Sequence, residues 1–268
     1  MGNNKYMGKS LWALILGASS GFGEATALEL ARLGYNIFGV HLDRRAGLKH
    51  VEEITGQIRA AGREAAFFNV NAADAEKRKD VIARIEEEFG KQPGTVRVLL
   101  HSVAFGTLTP YVGEEKEAVT QPQMDMTLDV MAHSLVYWTQ DLVSRGLMES
   151  GGRIYAMTSS GGTRVWATYG PVSAAKAALE SHIRQLALEL APKGITANAI
   201  RAGVTSTPSS RKIPGYEAIE AFARERNPHG RITTPQDVAA AIGVLAQPNT
   251  YWITGNVIGV DGGEDVVG

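Results

Sequence analysis

Leu11-Trp12-Ala13-Leu14-Ile15-Leu16-Gly17-Ala18-Ser19-Ser20-Gly21-Phe22-Gly23 is the stretch whose reading decides the fold. Its first six residues form a continuous apolar run, the pattern of a short strand buried on both faces. The glycine-rich segment then opens a helical pattern through Ala25, Leu28, Ala31 and Leu33, which Gly34 stops before a second apolar run, Tyr35 to Val40. Strand, glycine turn, helix and strand in that order predict a right-handed βαβ unit. A glycine turn at a helix N-terminus lets backbone amides approach a pyrophosphate, and the helix dipole favours negative charge there. The same glycines also suit a plain tight turn; their place between a strand and a helix at the start of an α/β chain favours dinucleotide binding.

Working outward, the alternation repeats. A helix-compatible segment from Gly47 to Ala61 leads to a strand from Ala65 to Val70, and Asp74 to Phe89 leads to the strand Val96 to Leu100. A long helical stretch, about Met124 to Met148, precedes the strand Arg153 to Thr158. Val172, Ala175, Leu179, Ile183, Leu186 and Leu190 make one stripe of a helix from Val172 to Leu190, followed by the strand Ile195 to Ile200. Thr234-Pro235 caps a helix over Gln236 to Ala246, and Asn256 to Val260 closes the set. Such alternation calls for an α/β, Rossmann-type doubly wound parallel sheet with helices on both faces. With no linker or repeat to divide it, residues 1–268 are read as a single dinucleotide-binding and catalytic domain. The segment Thr205 to Arg231 breaks the rhythm with Pro208, Pro214 and Pro228 around a helical stretch, Tyr216 to Arg226. Because it follows the C-terminal end of a strand, it is expected to cover a substrate; a merely long loop is the alternative.

Composition narrows the function. The 268 residues are 44% hydrophobic and 21% charged, values of an ordinary globular chain, and the net charge of -1 argues against bulk nucleic-acid binding. Cysteine is absent, so thiolate catalysis, disulfides and cysteine metal sites are excluded. Met1 to Ser10 is polar and is read as a disordered lead-in, and no window approaches the length of a membrane span. The expectation is a cytoplasmic protein with no membrane partner. His50, His133, His182 and His229 have no metal-like spacing and are assigned structural or surface roles, so no metal site is expected.

The chemistry is expected in Thr168-Tyr169-Gly170-Pro171-Val172-Ser173-Ala174-Ala175-Lys176. A phenol can give a proton or a hydrogen bond to a developing oxyanion, and a neighbouring ammonium stabilises the anionic form of both. Gly170-Pro171 predicts a helix starting at Pro171, with Tyr169 on the preceding loop.

With these residues in hand the chain resembles the short-chain dehydrogenase/reductase family over almost its whole length. Gly17-x3-Gly21-x-Gly23 is similar to the family's cofactor turn, Asn198-Ala199-Ile200-Arg201-Ala202-Gly203 to its Asn-Ala-x-x-Pro-Gly signature, and Val260-Asp261-Gly262-Gly263 to its C-terminal ending. Two departures matter. The family's usual Tyr-x3-Lys would put Tyr at 172, where Val172 stands; Tyr169 gives Tyr-x6-Lys, which resembles the enoyl-acyl-carrier-protein reductase branch. His101-Ser102-Val103-Ala104-Phe105 resembles that branch's His-Ser-Ile-Ala-Phe. The family's active-site Ser maps onto Ser159, where many enoyl reductases carry a second Tyr, and its relay Asn maps onto Met131.

The resemblance implies NAD(P)H-dependent reduction of the C2–C3 double bond of a trans-2-enoyl thioester, with acyl carrier protein in fatty-acid synthesis as the expected setting. Tyr169, Lys176 and Ser159 are then the catalytic set. Gly17, Ser19, Ser20, Gly21, Phe22, Gly23, Asn69, Val70, Ser102, Val103, Ala104, Lys176, Gly203, Thr205 and Thr207 are the expected cofactor contacts. Asp43 and His41 sit where the adenosine ribose would be held, favouring NADH; Arg44 and Arg45 beside them suit a 2′-phosphate, and the pair of guanidiniums tips the expectation to NADPH, with NADH open. Arg211 and Lys212 suit either an acidic carrier protein or plain solvent. Homotetramers through the fourth and fifth helices of related proteins imply a homotetramer here, permitted by apolar stripes on those helices. The competing functions are a carbonyl or hydroxysteroid oxidoreductase and a catalytically lapsed nicotinamide-binding protein. Acyl length and the choice of carrier protein or coenzyme A stay open.

Overall fold

The computed structural model describes residues 8–114 and 117–267. Seven parallel strands form one sheet in the order β3-β2-β1-β4-β5-β6-β7: β1 (Ser10–Leu16), β2 (Asn36–His41), β3 (Ala65–Asn69), β4 (Gly94–His101), β5 (Arg153–Ser159), β6 (Thr196–Ala202) and β7 (Val257–Val260). The helices are α1 (Gly21–Arg32), α2 (Leu48–Ala60), α3 (Ala75–Lys91), α4 (Gln121–Leu128), α5 (Ser134–Ser144), α6 (Gly170–Leu190), α7 (Tyr216–Arg226) and α8 (Pro235–Leu245). This is the doubly wound single-domain α/β architecture expected.

Alternation along β1 explains the two layers. Leu14 and Leu16 face a core shared with α3, α5 and α6 through Ile82, Leu135, Trp138, Leu179 and Ile183. Ala13 and Ile15 face a second core shared with α1, α2 and α8 through Leu30, Ile54, Ile58, Val238 and Ile242. Successive strand side chains point to opposite faces, so one apolar run serves both layers. The strand order reverses between β1 and β4, and Leu16 is in register with His101 there. That reversal opens a crevice at the strands' C-terminal ends, where ligands bind in such sheets.

Three sequence expectations shift. The lead-in ends earlier than expected, because Ser10 already pairs in β1; Met1 to Met7 lie outside the described residues. The long helix begins at Gln121, where Thr120 and Gln123 form a capping box with Pro122 in the first turn, and ends at Ser144. It is also interrupted: Asp129–His133 make a π-turn, a local widening that apolar periodicity does not reveal. Finally, the stripes of α5 and α6 are spent on the core, and other apolar residues of these helices, such as Tyr137 and Leu188, face outward. No described helix is long and apolar enough to cross a membrane.

Candidate active site

The glycine turn comes first in the chain and is built almost entirely from backbone. Gly17 and Ala18 donate to the Val40 carbonyl, and Ser102 donates to the Leu16 carbonyl, tying the ends of β1, β2 and β4 together. Gly17 has φ +91, and a Cβ there would run into the Ser102 carbonyl. A Cβ on Gly23 would overlap the Gly17 carbonyl, so α1 packs this closely on the turn only with glycine at its third residue. Ser20, the N-cap of α1, makes no side-chain cap, in contrast to Thr234, whose hydroxyl accepts from Asp237 N at the start of α8. The first-turn amides of α1 are thus left for another acceptor. Ser19 and Phe22 lie in the same half-exposed turn, and Thr207 closes it from the far side with its methyl against Gly21. Thr207 is fixed by Ser210, whose amide donates to Thr207 Oγ1 at 3.0 Å, and Thr205 by its bond to the Gly203 carbonyl at 2.9 Å.

At the end of β2, His41 Nδ1 donates to Asp43 Oδ2 at 2.9 Å. Asn69 holds the Asp43 backbone from both sides, accepting from its amide and donating to its carbonyl at 2.9 Å each, while the Val70 amide bonds the His41 carbonyl. Asp43 is therefore already engaged, whereas Arg44 and Arg45 are exposed and form no ion pair among the described residues. Val103 lies in the core behind the β4 end, and Ala104 is exposed.

The stretch from Thr168 to Lys176 is organised differently. Tyr169 is the N-cap of α6, its carbonyl accepting from Ser173 N at 2.8 Å; the helix starts one residue before Pro171, and Tyr169 stands just ahead of it, as expected. Pro171 tolerates this because its missing amide would be unpaired in a first turn anyway. Thr168, just before it, has φ +63, the single non-glycine positive φ among the described residues. For a β-branched residue that is strained, by about 1–3 kcal/mol. The Tyr169 ring lies against Gly161, where a Cβ would overlap it. Burial raises the phenol's pKa, and Ser159 opposes the rise; yet Ser159 Oγ, itself buried, is not within hydrogen-bond geometry of any partner among the described residues. We take the two hydroxyls as neighbours without a formed bond, which leaves both free to meet one acceptor or donor between them.

Lys176 is buried, and its Nζ donates to the Met157 carbonyl at 2.6 Å. Burial pushes its pKa down to about 8, with Glu180 pulling the other way. Met131 and Val172, at the positions of the family's relay Asn and usual Tyr, pack together with Val130 and Ala175, and Tyr169 leans on that cluster. Behind it, Ser134 donates to the Val130 carbonyl at 2.9 Å, so Ser134 Oγ accepts from His101 Nε2, also at 2.9 Å. His101 is fully buried, and burial together with the Lys176 charge pushes it down to about 3, so it is neutral.

The sequence thus named the residues that meet here but missed their supports. Thr158 and Ser134 carried no motif, and Glu180 and the strained Thr168 carried no assigned role. His133 and His182, assigned to unrelated structural roles, meet at 3.0 Å between the π-turn and α6, although no group of three metal-ligating residues occurs among the described residues. Arg211 and Lys212 are exposed and without an ion pair among the described residues.

Comparison with known proteins adds the following. The family model described as Enoyl-(Acyl carrier protein) reductase matches residues 17–264. The chain is 30% identical to an NADPH-dependent aldehyde reductase-like protein, chloroplastic, of Arabidopsis thaliana, with 94% of this chain and 93% of that protein covered. It is likewise 30% identical to 1-cyclohexenylcarbonyl-CoA reductase of Streptomyces collinus, covering 95% of this chain and 87% of that protein. Among solved structures, the enoyl-acyl carrier protein reductase of Bacillus cereus with NADP+ and indole naphthyridinone superposes with a TM-score of 0.85 at 25% identity, covering 97% of this chain and 98% of that one.

Proposed function

The chain belongs to the short-chain dehydrogenase/reductase family, in its enoyl-acyl-carrier-protein reductase branch, and from that premise we propose that it reduces the C2–C3 double bond of trans-2-enoyl thioesters. The observation that carries this reading is the apolar cluster of Met131 and Val172 on which Tyr169 leans. In a ketone the carbon that accepts hydride bears the oxygen itself. In a conjugated enoyl thioester the negative charge appears on the carbonyl oxygen, three bonds from the accepting C3. A phenol moved three residues toward the start of α6, about 4.5 Å of rise if helical, suits the displaced oxygen, and the vacated position is sealed by carbon.

The residues fit a nicotinamide cofactor: the turn is a cradle that a Cβ would fill at Gly17 and Gly23, with uncapped α1 amides beside it. Bound there, reduced nicotinamide supplies the hydride for C3. Tyr169 donates a hydrogen bond to the thioester carbonyl oxygen, stabilising the enolate charge before C2 is protonated. Ser159, buried and unbonded, is placed to assist at the same oxygen or at the nicotinamide end. Lys176 holds the ribose and supplies positive potential. Arg44 and Arg45, free while Asp43 is held by His41, support NADPH over NADH. Thr205 to Arg231, with Thr207 already over the turn, acts as the substrate cover, and its exposed Arg211 and Lys212 support an acidic carrier protein as the donor of the acyl chain. A homotetramer belongs to the same reading.

Purified protein with NADPH or NADH tests it, offered crotonyl thioester beside acetoacetyl thioester and a ketone panel. NADPH oxidation with the crotonyl thioester is expected, and Tyr169→Phe is expected to lower kcat about 100-fold or more while leaving the cofactor Kd unchanged. Turnover with ketones alone would replace this reading with a carbonyl reductase, as the aldehyde reductase-like relative allows. No turnover with any substrate would favour a lapsed enzyme.

A further inference from the structure

Burying an ammonium is costly unless something nearby favours the charge, and around Lys176 few groups can. His101, from the end of β4, is neutral, and Tyr169, ahead on the same helix, keeps its proton. The π-turn side offers Met131, an apolar side chain. Glu180 remains, one turn beyond Lys176 on α6 and therefore on the same helix face. Two consecutive β5 residues grip the two side chains: the Met157 carbonyl accepts from Lys176 Nζ at 2.6 Å, and the Thr158 hydroxyl donates to Glu180 Oε1 at 2.7 Å. Gly162 lies directly above both side chains: a Cβ there would touch Glu180 Oε1 at 3.3 Å and Lys176 Cβ at 3.5 Å. Thr158 is buried and Glu180 half-buried, so the carboxylate is fixed in direction and only partly screened.

We infer that Glu180 is a positioning residue that holds Lys176 in its charged form and so sets the upper pH limit of the enoyl reduction proposed above, on which this inference rests. The carboxylate acts through space: Lys176 and Glu180 form no contact ion pair among the described residues, and Thr158 keeps the carboxylate oriented instead of letting it swing to solvent. Since Met131 stands where the family's polar relay residue would be, the favourable charge comes from the next turn of α6.

The test is a direct titration of Lys176 in the full chain, using [13C]lysine-labelled protein with the Lys176 Cε resonance identified by its loss in Lys176→Met. Glu180→Gln is expected to move the Lys176 midpoint down by about one pH unit, and Glu180→Asp to restore most of it. Glu180→Met, similar in length and uncharged, must give the same fall as Gln, so a misfolded Gln variant does not end the test. The alkaline limb of kcat/KM with crotonyl thioester is expected to move in parallel. An unchanged Lys176 midpoint in a folded uncharged variant overturns the inference. A moved midpoint without any thioester reduction sustains the role of Glu180 and overturns the proposed reaction instead.

Discussion

The Gly17–Gly23 turn and the Ser159–Lys176 segment both lie at the C-terminal ends of strands in one sheet, yet they are held by opposite means. The first is fixed by what is missing, since carbonyl oxygens of Gly17 and Ser102 occupy the space that side chains at Gly23 and Gly17 would need. The second is fixed by what is buried: an ammonium is withdrawn from water with a phenol and a hydroxyl half-withdrawn beside it, and the proton affinities of phenol and ammonium follow from burial and from neighbours on β5 and α6. A site made of backbone tolerates no added atom but is indifferent to pH. A site made of buried side chains has the reverse character, and substitution and titration should separate the two.

The largest effect is expected at the turn. Gly23→Ala adds a single carbon, but against backbone that cannot rotate away, so α1 must shift from the position its amides hold. Overpacking of this kind costs about 3 kcal/mol, roughly a 100-fold loss of NADPH affinity by fluorescence titration, with the loss equal at pH 6 and pH 8. An unchanged Kd would show that the turn is not the phosphate cradle.

That contrast also explains what was legible in the sequence. Leu11 to Leu16 and the glycines after it announced strand, turn and helix because local sterics determine them, and the stripe from Val172 to Leu190 announced α6 because burial follows its period. Tyr169 and Lys176 were legible as a pair. Their environment was not: Glu180 and Thr158 are twenty-two residues apart and meet only through the β5–α6 crossover. The π-turn at Asp129–His133 was hidden for a related reason, since its apolar positions still read as one continuous helix, while Ser134, itself bonded by His101, donates to the Val130 carbonyl. The start of α6 was misjudged by one residue, because Pro171 is accepted in the first turn rather than marking its start, whereas Tyr169 does stand just ahead of the helix.

His101 offers the next effect, on the titrating side of the comparison. The unfolded chain binds a proton on His101 below about pH 6.5, while the folded chain resists until about 3. Between those values the unfolded state carries more protons, so stability falls as pH falls, by at most about 1.4 kcal/mol per pH unit from this residue. His101→Gln keeps a donor for Ser134 and does not titrate. Urea denaturation from pH 7 to 4 is expected to show a shallower acid slope for the variant, by close to one proton. Identical slopes would mean that His101 takes up a proton in the fold as readily as in the unfolded chain.

The smallest effect is expected beyond the turn, where exposure dilutes both mechanisms. Arg44 is exposed, and a guanidinium on a phosphate there competes with water and salt, so Arg44→Ala is expected to raise the KM for NADPH by about tenfold or less while leaving that for NADH alone. The loss should shrink as ionic strength rises, because exposed charges are screened over about 10 Å at 0.1 M salt. Asp43 supplies the counter-test within the same loop. Its carboxylate is turned onto His41, so His41→Ala should release it toward the ribose and narrow the preference for NADPH without any change in the guanidiniums. If NADH is preferred and Arg44→Ala leaves NADPH use unchanged, the arginines are solvated surface and the acid, not the base, reads the cofactor.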